Sequence, residues 1–181
     1  MKNEKVHIGL SSDQRTGVID CLNTLLADEH VLYTKTRNYH WNVVGPHFRS
    51  LHKLFEEQYT QLAGMIDQIA ESTRQFGGFT AGTMAEFVEL SRLKEQPGRL
   101  PDDNGMILDL LDDHEAVIRA LREDIERAQN EFKVADAADF LTGLLEAHNK
   151  MAWMLRALLG TAPGKVEPKR RSSDELVGSR R

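Results

Sequence analysis

Apolar residues recur at helical spacing through four long segments of this chain, and that periodicity favours an all-helical fold. No segment shows the strict apolar–polar alternation of a half-buried strand. The long segments are separated by glycine- and proline-containing breaks, which end helices or prevent them from continuing. The predicted helices cover residues 12–39, about 46–76, 102 or 103 to about 131, and 135 or 136 to 160.

A shorter helix is predicted between the second and third long ones. Thr83 and Glu86 have the three-residue spacing of a capping box, which predicts a helix over 84–91. Four long amphipathic helices need each other to bury their apolar faces, and a bundle is the simplest way to do so. The sequence therefore predicts an all-α four-helix bundle with a short extra helix between the second and third helices.

Length and composition indicate how many domains the chain forms and in which cellular setting. The chain has 181 residues, of which 40% are apolar, and this suits one domain with a proper core. We expect residues 1–11 to form a flexible arm, 12–160 the bundle and 161–181 a flexible tail. No apolar run approaches the roughly 20 residues of a membrane span, and the N-terminus lacks a secretory signal pattern. With Cys21 as the single cysteine, the sequence predicts a cytoplasmic protein without an intrachain disulfide.

Charge is distributed unevenly along the chain. The formal net charge is −5, yet the last nineteen residues hold twice as many basic as acidic side chains. Such a tail favours an anionic partner such as DNA, while the acidic body favours cations. The basic tail residues are Lys165, Lys169, Arg170, Arg171, Arg180 and Arg181.

Two pairs of metal-binding residue types lie on the second long helix. His52 and Glu56 are four residues apart, as are Asp67 and Glu71, so each pair shares one helix face. The two pairs are separated by eleven residues, or roughly 16 Å along a helix axis. Metals in a two-metal site lie only about 4 Å apart. One straight helix therefore cannot bring the two pairs to a common site.

Two antiparallel copies of this helix can bring them together. The positions of His52 and Glu71 have the same midpoint as those of Glu56 and Asp67, between residues 61 and 62. A two-fold axis at that midpoint would place His52 opposite Glu71 and Glu56 opposite Asp67. Because a two-fold interface is self-complementary, it would form two identical sites. His40, at the end of the first helix, is a further candidate ligand.

Each of these residues also has a simpler interpretation. His52 and Glu56 could form an ordinary exposed contact, Asp67 and Glu71 could belong to a solvated face, and His40 could form a hydrogen bond in the core. Trp41 and Trp153 suit packing, with a redox-active ring beside His40 as the alternative for Trp41.

Other histidines and acidic residues give weaker signals. The run Asp112, Asp113, His114 and Glu115 is interpreted as a solvated helix face. His7, His30, His47 and His148 have no partner at convincing spacing. The Glu-x-x-His signature of ferritin-type di-iron bundles is absent from the four long predicted helices, which disfavours a metal site inside one bundle.

Four sequence blocks resemble the Dps family, the mini-ferritins named as DNA-binding proteins from starved cells. The blocks are HWNVVGPHF, LHKLFEEQY, DQIAE and KMAWMLRALLG, and the resemblance covers about residues 12–160. It implies a ferritin-like four-helix bundle and a ferroxidase that stores iron. Two Fe²⁺ ions would bind at each inter-subunit site and be oxidised by hydrogen peroxide or O₂. The Fe³⁺ would mineralise inside a homododecamer, with zinc as a possible competitor for the site.

The resemblance also assigns roles to individual residues. It implies that His40, His52 and Glu56 of one subunit bind iron together with Asp67 and Glu71 of its two-fold mate. Trp41 is similar to the family tryptophan near the iron. Asp139, and with less support Asp136, resemble acidic residues that line the three-fold pores through which iron passes.

The chain departs from its relatives in two places. Ser72 and Thr73 follow Glu71 where many relatives have arginine after the ligand glutamate, so a nearby salt bridge is expected to be missing. The terminal arms vary within the family, and DNA binding often depends on them. The alternative function is therefore a DNA-compacting protein of the bacterial nucleoid that acts through its basic tail, whereas a solubilising tail is the simpler interpretation.

Overall fold

A computed structural model describes residues 6–160, and every regular element in that range is helical. The elements are α1 (Ser12–Asn42), α2 (Phe48–Gln75), α3 (Met84–Leu90), α4 (Asp103–Glu126), a π-helical turn (Arg127–Phe132) and α5 (Ala135–Leu159). The predicted all-α, ferritin-like bundle with a short extra helix is thus confirmed. Within residues 6–160, no helix has the length and apolar character that crossing a bilayer requires.

Side-chain capping marks the start of α1, α3 and α4. Ser11 and Gln14 form a reciprocal capping box at the start of α1, and Thr83 and Glu86 form the predicted one at the start of α3. Asp102 caps α4 by accepting a hydrogen bond from the Gly105 N–H at 2.9 Å. These contacts satisfy backbone donors that the first turn of a helix leaves unpaired.

Two helical hairpins make up the bundle. Helix α1 packs mainly on α2, and α4 packs mainly on α5, with short connections that make each pair antiparallel. The core is built from large aliphatic and aromatic side chains of all four long helices. Its fully buried members include Leu22, Leu25, Leu26, Leu32, Leu51, Phe55, Leu62, Ile69, Leu110, Leu121 and Leu141.

The third long helix ends differently from the prediction. Helix α4 stops at Glu126 and continues as the π-helical turn, where the sequence predicted one helix fading near residue 131. The turn closes when Val134 N–H donates to the Ala128 carbonyl at 2.9 Å and Lys133 adopts a left-handed φ of 60°. The Phe132 ring then lies against Gly17, where a Cβ would come within 2.4 Å of it. Glycine at position 17 therefore permits this packing of the π-helical turn on α1.

Candidate metal centre

His40 and His52 meet where the first hairpin turns back. The connection of residues 43–47 contains Gly45 at φ +112°, a conformation that glycine adopts without strain. The two imidazole rings stack with their centroids 3.7 Å apart and their planes at 23°. His40 is 9% exposed and His52 is partly buried, so the pair lies at the edge of the bundle.

Reciprocal hydrogen bonds fix this histidine pair. The His40 Nδ1 lies 2.8 Å from the His52 carbonyl oxygen, and the His52 Nδ1 lies 2.8 Å from the His40 carbonyl oxygen. Because a carbonyl oxygen only accepts, both Nδ1 atoms must carry the proton. In the neutral rings the lone pair is then on Nε2. A backbone carbonyl that orients an imidazole in this way is the usual support of a metal-binding histidine.

Glu56 lies one turn beyond His52 and is paired with Lys53. The Lys53 Nζ is 2.8 Å from the Glu56 Oε2; Lys53 is exposed and Glu56 is partly buried. This hydrogen bond and the lysine charge are the main causes that lower the pKa of Glu56, with smaller contributions from His40 and His52. Glu56 is therefore a carboxylate at neutral pH, close enough to both histidines to interact with them.

Asp67 and Glu71 are both exposed farther along α2. Helical geometry puts them roughly 16 Å or more from the level of Glu56. Within residues 6–160, no three His, Cys, Asp or Glu side chains of one chain are arranged to hold a metal ion. The structure thus brings His40 and His52 together and leaves the two carboxylates of the second pair apart from them.

An aromatic group surrounds Arg37 next to the histidine pair. The guanidinium carbon lies 5.5 Å from the Tyr33 ring centroid, 5.2 Å from that of Tyr59 and 5.1 Å from that of Trp41. Tyr59 also contacts His40 edge-on, with the centroids 5.2 Å apart. Trp41 remains 63% exposed, so its ring is a surface group stacked on Arg37 and not a core residue.

The candidate pore residues lie in the first turns of α5. Asp136 and Asp139 are both exposed. Asp136 and Glu71 line the same recess of about 260 Å³ between α2 and α5. The basic tail residues from Lys165 onwards lie outside the described residues.

Sequence reasoning missed a second histidine pair in the bundle centre. His114 Nδ1 and His148 Nδ1 are 2.9 Å apart, and His148 Nε2 lies 2.7 Å from Glu29 Oε1. Both histidines and Glu29 are 0% exposed, so the solvated face predicted for His114 is wrong and His148 does have partners. A signal was present, because His114 continues the apolar stripe of Leu110 and His148 that of Leu144.

Comparisons with known proteins agree with this architecture. The family model of the ferritin-like domain matches residues 19–164. The chain is 49% identical to a low temperature-induced protein of Nostoc sp. over 91% of its length and 90% of that protein. It is 41% identical to DNA protection during starvation protein 2 of Bacillus anthracis over 78% of its length and 96% of that protein.

A solved structure extends the likeness to the whole fold. The Dps protein of Vibrio cholerae O1, described as a member of a broad superfamily of ferritin-like diiron-carboxylate proteins, superposes with a TM-score of 0.81 at 28% identity. The match covers 88% of this chain and 100% of that one. On its fold, its family match and its relatives, the chain belongs to the Dps family of ferritin-like proteins.

Proposed function

We propose that this protein oxidises Fe²⁺ with hydrogen peroxide, or with O₂, at sites shared by two subunits and stores the Fe³⁺ mineral in a dodecameric cage. The observation that carries the proposal is the reciprocal pair of hydrogen bonds between His40 and His52. It holds two imidazoles in the tautomer that offers Nε2 to a metal. Imidazole nitrogen and carboxylate oxygen together suit iron, zinc or manganese.

The remaining ligands come from a second chain in this proposal. Glu56 completes the half-site of one subunit, and Asp67 and Glu71 of the two-fold mate supply the other half. Support comes from the lack of a three-ligand group within one described chain and from the exposure of the α2 face at its midpoint. Gly64 lies on that face, and a Cβ built there would meet no heavy atom within 4 Å. A second α2 can therefore approach closely.

The chemistry is a two-electron transfer from substrate iron to peroxide. Two Fe²⁺ ions lose one electron each, and the peroxide accepts both electrons with two protons to become two waters. The ligands hold both ions close together, so that neither has to reduce peroxide alone and release a hydroxyl radical. Trp41 is proposed as a redox-active ring beside His40: when only one ion is bound, the ring and that ion would each give one electron to the peroxide, and a later Fe²⁺ would return the electron to the ring. Zinc would compete for the same nitrogen and oxygen ligands.

The acidic residues of α5 are proposed to guide iron inward. Asp136 and Asp139 would line a pore in the assembled cage and attract Fe²⁺ by their charge. Because Asp136 shares a recess with Glu71, iron that reaches Asp136 is already close to a proposed ligand. We place this activity in the bacterial cytoplasm.

Peroxide-driven iron oxidation tests the proposal. Fe²⁺ is mixed with hydrogen peroxide, and ferric absorbance and particle mass are followed for the wild type and for a variant with both His52→Ala and Asp67→Ala. Glu57→Ala is the matched control, since this exposed carboxylate neighbours Glu56 but is not a proposed ligand. Loss of oxidation in the double variant but not in the control is expected. Oxidation at the wild-type rate in the double variant would show that the proposed site is wrong.

DNA compaction is the second candidate function. A relative bears the name DNA protection during starvation protein 2, and the tail of this chain carries six basic side chains. Twelve such tails on one particle would bind together even if each is weak alone. A gel-shift comparison of the full chain with a chain ending at residue 162 tests this function. Binding that is salt-sensitive and lost on truncation supports it, and equal binding by both chains excludes the tail.

A further inference from the structure

The centre of the bundle contains a linear chain of three titratable side chains, called here the buried triad: Glu29, His148 and His114. They come from α1, α5 and α4, and all three are 0% exposed. Glu29 Oε1 contacts His148 Nε2 at 2.7 Å, and His148 Nδ1 contacts His114 Nδ1 at 2.9 Å. Each residue lies near the middle of its helix, so the triad joins both hairpins at the centre of the bundle.

Hydrogen-bond geometry limits how many protons the triad can hold. A contact between two ring nitrogens needs one proton, supplied by one ring and accepted by the other. If both rings were imidazolium, each Nδ1 would carry a proton and the two N–H groups would point at each other. The 2.9 Å contact is therefore compatible with at most one positively charged ring.

The groups around the triad do not supply a second counter-charge. On α1, Asp28 next to Glu29 pairs with Arg92. On α4, the two carboxylates that flank His114 also pair elsewhere, Asp113 with Lys35 and Glu115 with Arg156 of α5. His30, next to Glu29 on α1, stacks on Phe87 of α3, and burial is the main cause that lowers its pKa.

On α2, a buried and uncharged side chain contacts α5 one turn from His148. The amide of Gln58 donates to the Met151 carbonyl of α5 at 3.4 Å. Glu29 is thus the one carboxylate in hydrogen-bond contact with either ring among the described residues, and it can balance a single imidazolium.

We propose that the buried triad is an acid-sensitive lock that holds α1, α4 and α5 together near neutral pH and opens when acid forces a charge onto both histidines. The proposal does not rest on iron chemistry. A metal is a poorer occupant than a proton, because His148 already uses both ring nitrogens and the three residues are in line rather than around one point. No three-ligand group for a metal occurs among residues 6–160.

The direction of the pH effect follows from the states of His114. Burial, and then the charge of His148, lower the pKa of His114 well below its ordinary value of 6.5. In the unfolded chain both histidines take up a proton near pH 6.5, whereas the folded triad cannot accept both. When folding lowers the pKa of a histidine, its full contribution to stability is present at a pH above the pKa of the unfolded state. This contribution is lost as the pH falls from the unfolded-state pKa toward the folded-state pKa.

Unfolding of the metal-free full chain tests the lock. The unfolding equilibrium constant is measured in urea with a chelator, at fixed chain concentration, between pH 8 and pH 5. The unfolding constant should rise as the pH falls below 6.5. For each pH unit, the factor by which it rises is expected to be up to about ten times larger in the wild type than in His114→Gln. His7→Gln, which removes an exposed histidine, is the matched control and should keep the wild-type slope. Equal slopes for the wild type and His114→Gln would overturn the proposal.

A second measurement needs no variant. Deuterium exchange at the C2 position of each histidine ring, followed by mass spectrometry on the wild-type assembly, gives a midpoint pH for each ring. The midpoint of His114 is expected below that of His7. A His114 midpoint at or above that of His7 would contradict the lock, and this result decides the question if His114→Gln fails to fold.

Discussion

The chain uses histidine pairs in two places, and the pairs differ in what their Nδ1 atoms contact. At the edge of the bundle, His40 and His52 direct Nδ1 to each other's backbone carbonyl. In the centre, His114 and His148 direct Nδ1 to each other. In the edge pair the Nε2 lone pairs remain available to an external ligand. In His148 both ring nitrogens already form hydrogen bonds within the protein.

This contrast shows that residue type alone does not decide whether a histidine binds a metal. A backbone carbonyl that accepts a hydrogen bond from one ring nitrogen leaves the other nitrogen available to bind a metal. A second imidazole and a carboxylate turn the same ring into part of a closed internal network. In the proposed function the edge pair becomes a site only with groups from another chain, while the hydrogen bonds of the central triad lie within one chain.

The largest expected effect tests whether the edge pair depends on a second chain. His52→Ala and Asp67→Ala chains, each assembled alone, should lose iron oxidation by on the order of a hundredfold or more, since loss of a mere supporting residue costs 10–100-fold. Co-assembly by refolding an equal mixture should restore about a quarter of the wild-type rate, because half of the two-fold pairs are mixed and each contains one intact site. A mixture as inactive as its components would show that the ligands belong to one chain.

A smaller effect is expected on the free energy of unfolding when one histidine is removed from the central triad or from the edge pair. His148→Ala leaves Glu29 and His114 buried without their partner and should lower the free energy of unfolding by roughly 3–5 kcal/mol. His52→Ala removes a partly buried ring at the edge and should cost about 1 kcal/mol. Urea unfolding of metal-free chains at pH 7.5 measures both. Similar losses of stability in the two variants would contradict the proposed difference between the edge pair and the central triad.

The smallest effect concerns Lys53, which pairs with Glu56 and would compete with a metal for it in the proposed site. Lys53→Met removes the hydrogen bond that lowers the pKa of Glu56, so that pKa should rise toward its ordinary value. Zinc binding measured by calorimetry at pH 7.5 should tighten by less than about tenfold, because exposed ion pairs are weak. Lys94→Met, which changes an exposed lysine far from Glu56 in sequence, is the control. Weaker zinc binding in Lys53→Met would indicate that the lysine assists the site.

Much of the fold could be predicted because it depends on local signals. The apolar periodicity located all four long helices, and Thr83 with Glu86 located the short one. The π-helical turn could not be predicted, since it depends on how Phe132 packs against Gly17, a contact between distant parts of the chain.

The candidate site was only partly accessible from sequence. Spacing on α2 indicated that one helix could not unite its four ligand candidates, and the fold keeps the two pairs apart within one chain. The stacking of His40 on His52 depends on the return of the chain at Gly45, which spacing does not encode. The triad was missed because its members are distant in sequence and become neighbours only through the packing of three helices.

The reciprocal bonds between His40 and His52 also have a consequence for the thermodynamics of the proposed iron uptake. Immobilising a free side chain on binding costs about 0.5–1.5 kcal/mol of conformational entropy. In this protein two such rings are already held before any ion arrives, so that cost belongs to folding and not to binding. In the proposed site the two histidines are therefore preorganised, and the ordering on uptake would fall to the carboxylates of Glu56, Asp67 and Glu71.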